Sequence, residues 1–219
     1  HETIYYPNKI KQIVGRLNTQ NLSEEEEREN VEAISELIEY YKGIFTILSS
    51  CAARQLEEVT FRRSTISVAD LCEYAVKYFR KASKGKTSRI EFLTEPIEKR
   101  IIGDINQLRF LLENLIDEAL TVHEDGILKL HAAEDGNYIR FLFTDTRREK
   151  SVDELNKLFY PNLARMTSGE KGELRGTEYL ICKQIIRDHD EFAGRRGCRI
   201  NAEPAQKGGF TVYFTLPKR

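Results

Sequence analysis

Asn114 and Glu118 carry oxygen-bearing side chains four residues apart, within the stretch GDINQLRFLLENLIDEAL at residues 103–120. Side chains at i and i+4 stack on one side of a helix. Oxygen ligands so placed could hold a hard cation such as magnesium beside a nucleotide. The same spacing also describes an ordinary solvated polar face, so the pair alone leaves both readings open. His123 and His131 fall on a turn and a strand, and His189 lies between two aspartates near a helix end. None of the three has the spacing of a metal ligand set. No Ser-His-Asp or thiol-protease arrangement can be read.

The element that must position Asn114 and Glu118 is an amphipathic helix. Ile105, Leu108, Leu112, Leu115, Ile116 and Ala119 recur at steps of three and four and share one face. Asp104 can cap its start. The facing polar set is Glu113, Asn114, Asp117 and Glu118.

Upstream, Ile10, Ile13, Val14 and Leu17 predict a helix within residues 1–20. Pro7 is tolerable near a helix start. Ser23 with Glu26 forms a capping box that opens a second helix, expected to run to about Glu58. Its seam is Val31, Ile34, Leu37, Ile38, Tyr41, Ile44, Phe45 and Leu48. Two helices joined by a short turn make an antiparallel hairpin with too little to bury its seam against. A homodimer through residues 1–58, closing a four-helix bundle, solves that.

Downstream the pattern changes to helices interleaved with strands. A linker and short strand are expected in FRRSTISV, and a helix over Val68–Arg80. Strands follow at 90–93, 100–102, 127–131, 138–143, 198–203 and 210–216, the last alternating and closing the sheet. A short helix is expected over Val152–Phe159, a glycine-containing loop over 161–174 and a long helix over Thr177–Phe192. This order predicts an α+β architecture: a helical hairpin at residues 1–63, then an α/β sandwich with a mixed sheet at 64–219.

Composition excludes several classes. The net charge is -1, so no global field favours nucleic acid. Arg62-Arg63, Arg147-Arg148 and Arg195-Arg196 are expected as solvated surface. Four cysteines, at 51, 72, 182 and 198, include no C-x-x-C pair. Cys51, Cys72 and Cys182 lie in apolar helical patterns and are expected as buried thiols, as in a reducing compartment. No run approaches the ~20 apolar residues of a membrane span. A chain opening at His1 inside an apparent motif reads as a fragment, with any membrane anchor lying outside it.

The run at 103–120 resembles the asparagine box of sensor histidine kinases, G-D-x-x-x-L-x-x-x-L-x-N-L-L-x-N-A, with Glu118 in place of the second asparagine. The resemblance covers nearly the whole chain. GTEYLICKQIIRDHDEFAGRRGCRINAEPAQKGGFTVYFTLP is similar to the family's C-terminal run, ELNKLFYP to its F-x-P-F segment, and HETIYYPNKI to its phosphoacceptor box with one extra residue before Pro7. It implies a dimerisation and phosphoacceptor hairpin followed by a Bergerat-type ATP-binding domain. His1 is then the phosphoacceptor, attacking through a ring nitrogen. Glu2 orients the ring or takes its proton. Asn114 and Glu118 face ATP phosphates and Mg2+, and Asp145 accepts from the adenine amino group.

Against that pattern, Asp145-Thr146-Arg147-Arg148-Glu149 has lost both glycines of the D-x-G-x-G box. Only Gly176 survives of the second glycine box, where Glu178 puts an anion beside the phosphate position. The implied function is two-component signal transduction: phosphate passes from ATP to His1 and on to a response-regulator receiver domain. It implies a cytoplasmic setting, including the cytoplasmic part of a membrane-anchored sensor. The alternative is a pseudokinase-like dimeric scaffold or phosphotransfer module that does not bind ATP effectively. A structural coiled-coil dimer with an unrelated α+β domain is disfavoured by the order of the boxes.

Overall fold

Strand alternation decides which residues of the downstream half turn inward. In the computed structural model, residues 2–19, 22–35, 37–38, 61–160, 167–168, 174–175 and 177–219 are described. The chain divides into two compact units, His1–Leu56 with Pro161–Thr177 and Glu57–Tyr160 with Glu178–Arg219.

In the first unit, α1 spans Glu2–Thr19 and α2 is helical at 24–35 and 37–38. The expected capping box opens α2: the Ser23 backbone N–H donates to the Glu26 carboxylate at 2.9 Å, and the Glu26 N–H donates back to Ser23 Oγ at 3.3 Å. The expected remainder of this helix, from residue 39 to Glu58, lies outside the described residues, as does Cys51. Ile10, Ile13, Leu17, Ile34 and Leu37 are half-buried.

In the second unit, β1 (Ser64–Ser67) pairs antiparallel with β3 (Arg100–Gly103) as a separate two-stranded sheet. The main sheet holds β2 (Ile90–Glu95), β4 (Gly126–Asp135), β5 (Tyr138–Asp145), β8 (Ile200–Pro204) and β9 (Phe210–Pro217). Two short strands between them in sequence, β6 (Thr167–Ser168) and β7 (Leu174–Arg175), pair with each other in the first unit. The main sheet runs β2-β4-β5-β9-β8, with β2 parallel to β4 and the other pairs antiparallel.

Directly paired residues share a face. Leu128, Leu130 and Ala132 of β4 therefore line up with Asp145, Phe143 and Phe141 of β5, and these with Phe210, Val212 and Phe214 of β9. All are buried, with Phe141 and Phe214 stacked 5.0 Å apart. Each fully buried side chain of this kind contributes roughly 1.5–3 kcal/mol. The last strand does not close the sheet: β9 lies inside it and β8 takes the edge. Its outward row is satisfied locally, since the Thr144 and Thr211 hydroxyls bond at 2.8 Å and the Arg140 guanidinium lies 4.0 Å from the centre of the Tyr213 ring.

Three helices complete the core: α3 (Val68–Ala82), α4 (Ile105–Ala119) and α6 (Glu178–Phe192). Short α5 (Val152–Asn156) ends before the expected Phe159, and its start carries a capping box between Ser151 and Glu154. Leu108, Leu111, Leu112, Leu115 and Ile116 of α4 are buried, as are Leu71, Cys72 and Ala75 of α3 and Cys182, Ile185 and Ile186 of α6.

His189 has a backbone partner at each ring nitrogen. It is fully buried on α6, its Nε2 accepts the Asp104 N–H at 3.1 Å, and its Nδ1 lies 2.8 Å from the Ile185 carbonyl. One ring nitrogen accepts and the other donates, so the ring is neutral here. Burial lowers its pKa. Asp104 in turn caps α4, accepting from Asn106 N at 2.9 Å and Gln107 N at 3.3 Å, and takes the Arg62 N–H at 2.8 Å.

Candidate functional site

Asp145 reaches the core because it ends the inward row of β5. It is 1% exposed, and a carboxylate there must be neutralised or solvated. Arg147 neutralises it. The Arg147 backbone N–H and Nε donate to Asp145 Oδ1 at 3.0 and 2.8 Å, and Nη2 donates to Oδ2 at 2.8 Å. The remaining donors reach the end of α4, Nη2 to the Ala119 carbonyl at 2.5 Å and Nη1 to the Val122 carbonyl at 3.2 Å. Cations suit helix C-termini for this reason.

The Arg147 side chain is 0% exposed. The expectation that Arg147-Arg148 is solvated surface is therefore wrong for Arg147. The inward carboxylate and the carbonyls of Ala119 and Val122 together outweigh its hydration. Arg148 lies beside the pair, Nη2 3.8 Å from Asp145 Oδ2.

The loop after β5 is tied so that Arg147 turns inward. Thr146 exchanges hydrogen bonds with the backbone of Ile127: its N–H donates to the carbonyl and its hydroxyl accepts from the N–H, both at 3.1 Å. Two glycines make room. A Cβ on Gly126 would run into the Arg147 stem, and one on Gly209 would run into the Asp145 carbonyl. Gly209 also has φ +81°, which L side chains rarely adopt. Sequence reasoning missed Arg147 and Gly209. The available signal was an arginine standing where the resembled motif has its first glycine.

Asn114 and Glu118 do share one side of α4, and both are buried, at 7% and 4% exposure. Asn114 Nδ2 donates back along its own helix to the Phe110 carbonyl at 2.7 Å. The other two members of the polar set turn to α3: the Tyr74 hydroxyl donates to Glu113, and the Tyr78 hydroxyl donates to Asp117 at 2.9 Å. Tyr74 is pushed up to about 12, by burial first and then by its bond to Glu113. Desolvation likewise raises Asp117, and the Glu113 and Glu178 charges add to it.

Negative charge also gathers where α4 meets α6. Cys182, buried with its Sγ 3.6 Å from the Leu111 carbonyl, has its thiol raised by burial, then by the charges of Glu178 and Glu118. Glu178 Oε2 is buried without a hydrogen-bond partner. Among the described residues no three His, Cys, Asp or Glu side chains form a metal cluster.

The structure thus ties Asp145 to the backbone at the C-terminal end of α4 through Arg147. His1 and Gly176 lie outside the described residues, and Glu2 is described only as the first residue of α1.

Residues 103–219 match the family of histidine kinase-, DNA gyrase B-, and HSP90-like ATPases. The match takes in more than half of the chain, and the chain belongs to this family. Its relatives are sensor histidine kinases. The signal transduction histidine-protein kinase BaeS of Escherichia coli (strain K12) is 25% identical over 163 residues, covering 73% of this chain and 33% of BaeS. The sensor histidine kinase RcsC of the same strain is 25% identical over 127 residues, covering 57% of this chain and 13% of RcsC. The chain therefore spans a third or less of these relatives. Among solved structures, histidine kinase ThkA in complex with the response regulator protein TrrA has a TM-score of 0.58 at 19% identity, covering 100% of this chain and 59% of that one.

ATP is the nucleotide that membership of this ATPase family implies. Glu118 suits magnesium as a hard oxygen donor, since Mg2+ is commonly held by one or two carboxylates together with phosphates and water. Asp145 does not fit an adenine amino group as it stands, because both of its oxygens hold Arg147.

Proposed function

We propose that the chain works in two-component signal transduction as a histidine-kinase-like protein, transferring phosphate from ATP to His1 and on to the receiver domain of a response regulator. Family membership carries this reading, and the HETIYYPNKI run, whose residues 2–10 form the first part of α1, supports it. In it, residues 1–63 are the dimerisation and phosphoacceptor hairpin and 64–219 the ATPase domain. Glu2 orients His1, Asn114 and Glu118 hold Mg2+, and Gly176 borders the phosphates. ThkA, a kinase of the same fold, is complexed with a response regulator, which supports that class of partner.

The homodimer through residues 1–58 is supported by apolar side chains left open on the two helices: Val14, Val31 and Ile38 are 39%, 58% and 38% exposed. No helix among the described residues is long and apolar enough to cross a membrane. A cytoplasmic setting, with any membrane anchor in a region outside this sequence, agrees with the sensor-kinase relatives.

One observation favours a second reading. The Asp145–Arg147 pair, with Glu178 and the lost glycines, suits a pseudokinase-like dimeric scaffold or phosphotransfer module that does not bind ATP effectively. Incubation with labelled ATP-magnesium separates the two. Acid-labile label that disappears in His1→Ala is the expected result of the first reading. Absence of label and of binding at millimolar nucleotide sinks it and leaves the second.

A further inference from the structure

Asp145 is the one inward carboxylate of the row that ends β5, and its partners set what else can bind there. Arg147 meets both oxygens, and its other donors are spent on the Ala119 and Val122 carbonyls. Both Asp145 oxygens are therefore engaged from within the chain. The guanidinium is also held from behind, by Gly126 against its stem and by the Thr146–Ile127 bonds at the loop.

We propose that Arg147 is an internal competitor of adenine, holding the Asp145 oxygens that a base amino group would need. An adenine amino group is a neutral donor, whereas the guanidinium is a charged, forked one, and charge-assisted bonds are roughly twice as strong. A base gains Asp145 only from the fraction of molecules in which Arg147 has let go, and apparent affinity falls by that fraction. Arg147 thereby sets the affinity of this domain for adenine compounds. This rests on the reading that adenine nucleotide belongs at Asp145, and it is independent of His1.

Removing Arg147 need not strand the carboxylate. Arg148 Nη2 lies 3.8 Å from Oδ2, and its Nε and Nη2 are buried without hydrogen-bond partners. It can move in as the counter-charge while leaving Asp145 lone pairs for a base.

The test is calorimetric titration of adenosine and of ADP into the purified chain and into Arg147→Gly. The variant is expected to bind about tenfold tighter or more, equivalent to roughly 1.4 kcal/mol. Asp145→Asn placed in that background is expected to abolish the gain. Equal or weaker binding by the folded variant, including no binding by either protein, overturns the proposal. Should Arg147→Gly not fold, Arg147→Gln carries the test: it keeps a side chain over the α4 carbonyls and gives up the charge, and no gain in affinity there overturns the proposal equally. Tight binding by the variant without label at His1 would sink the phosphotransfer reading and leave this one standing. Label at His1 with unchanged affinity would do the reverse.

Discussion

A carboxylate that strand geometry turns inward obliges the chain to supply a cation, and at Asp145 the nearest available one is two residues on. Asp145→Asn leaves the Arg147 guanidinium buried and uncompensated, and breaking a buried pair from one side costs about 3–5 kcal/mol. Urea denaturation is expected to show a loss of that size, with most of it recovered in Asp145→Leu with Arg147→Met, which removes both charges.

His189 gives a second, pH-dependent outcome. Its pKa is lowered in the folded chain, while in the unfolded chain it titrates near ~6.5. The unfolded state therefore binds more protons in the interval between the two values, and stability rises with pH there. The contribution is complete above about pH 6.5 and is lost as pH falls through the lower folded value. The urea midpoint of the wild type is expected to drop on acidification from pH 7 to 5, and His189→Gln is expected to flatten that part of the profile.

Neither group was fully legible beforehand. Spacing placed Asp145 at a strand end and His189 near a helix end. The direction of a loop side chain and the distant partner across α4 are tertiary facts that no local pattern carries.

Helices and strands were more readable than their neighbours. The α4 helix was visible from its apolar steps and its Asp104 cap because both signals are local. Asp104 also accepts the Arg62 N–H from 42 residues away, which the cap motif does not encode. Asp104→Ala is accordingly expected to cost more than an ordinary cap, about 2 kcal/mol against a typical 1. Chemical denaturation of the ATPase-family unit measures the difference, with Ser151→Ala at the capping box of α5 as the ordinary case. The place of β9 inside the sheet was not legible. Alternation reports a face, whereas sheet order depends on which edge the returning chain reaches, and the threonine pair that lets β9 bury its outward row spans two strands.

The proposed dimeric assembly is tested most directly through the first unit. Sedimentation across micromolar concentrations is expected to show a dimer, weakened by Val31→Glu on the open seam. A strictly monomeric mass would count against the four-helix bundle. Within the ATPase-family unit, Cys182 has a further use. Its sulfur is fully buried against α4, with the thiol held in its unreactive protonated form, while Cys198 is half-buried and its thiol is pushed up to about 12. Alkylation at Cys182 therefore waits on α6 parting from α4. In a chain without tryptophan, that sulfur is a native chemical clock for how often the helical layer opens, readable without adding any label to the protein beforehand.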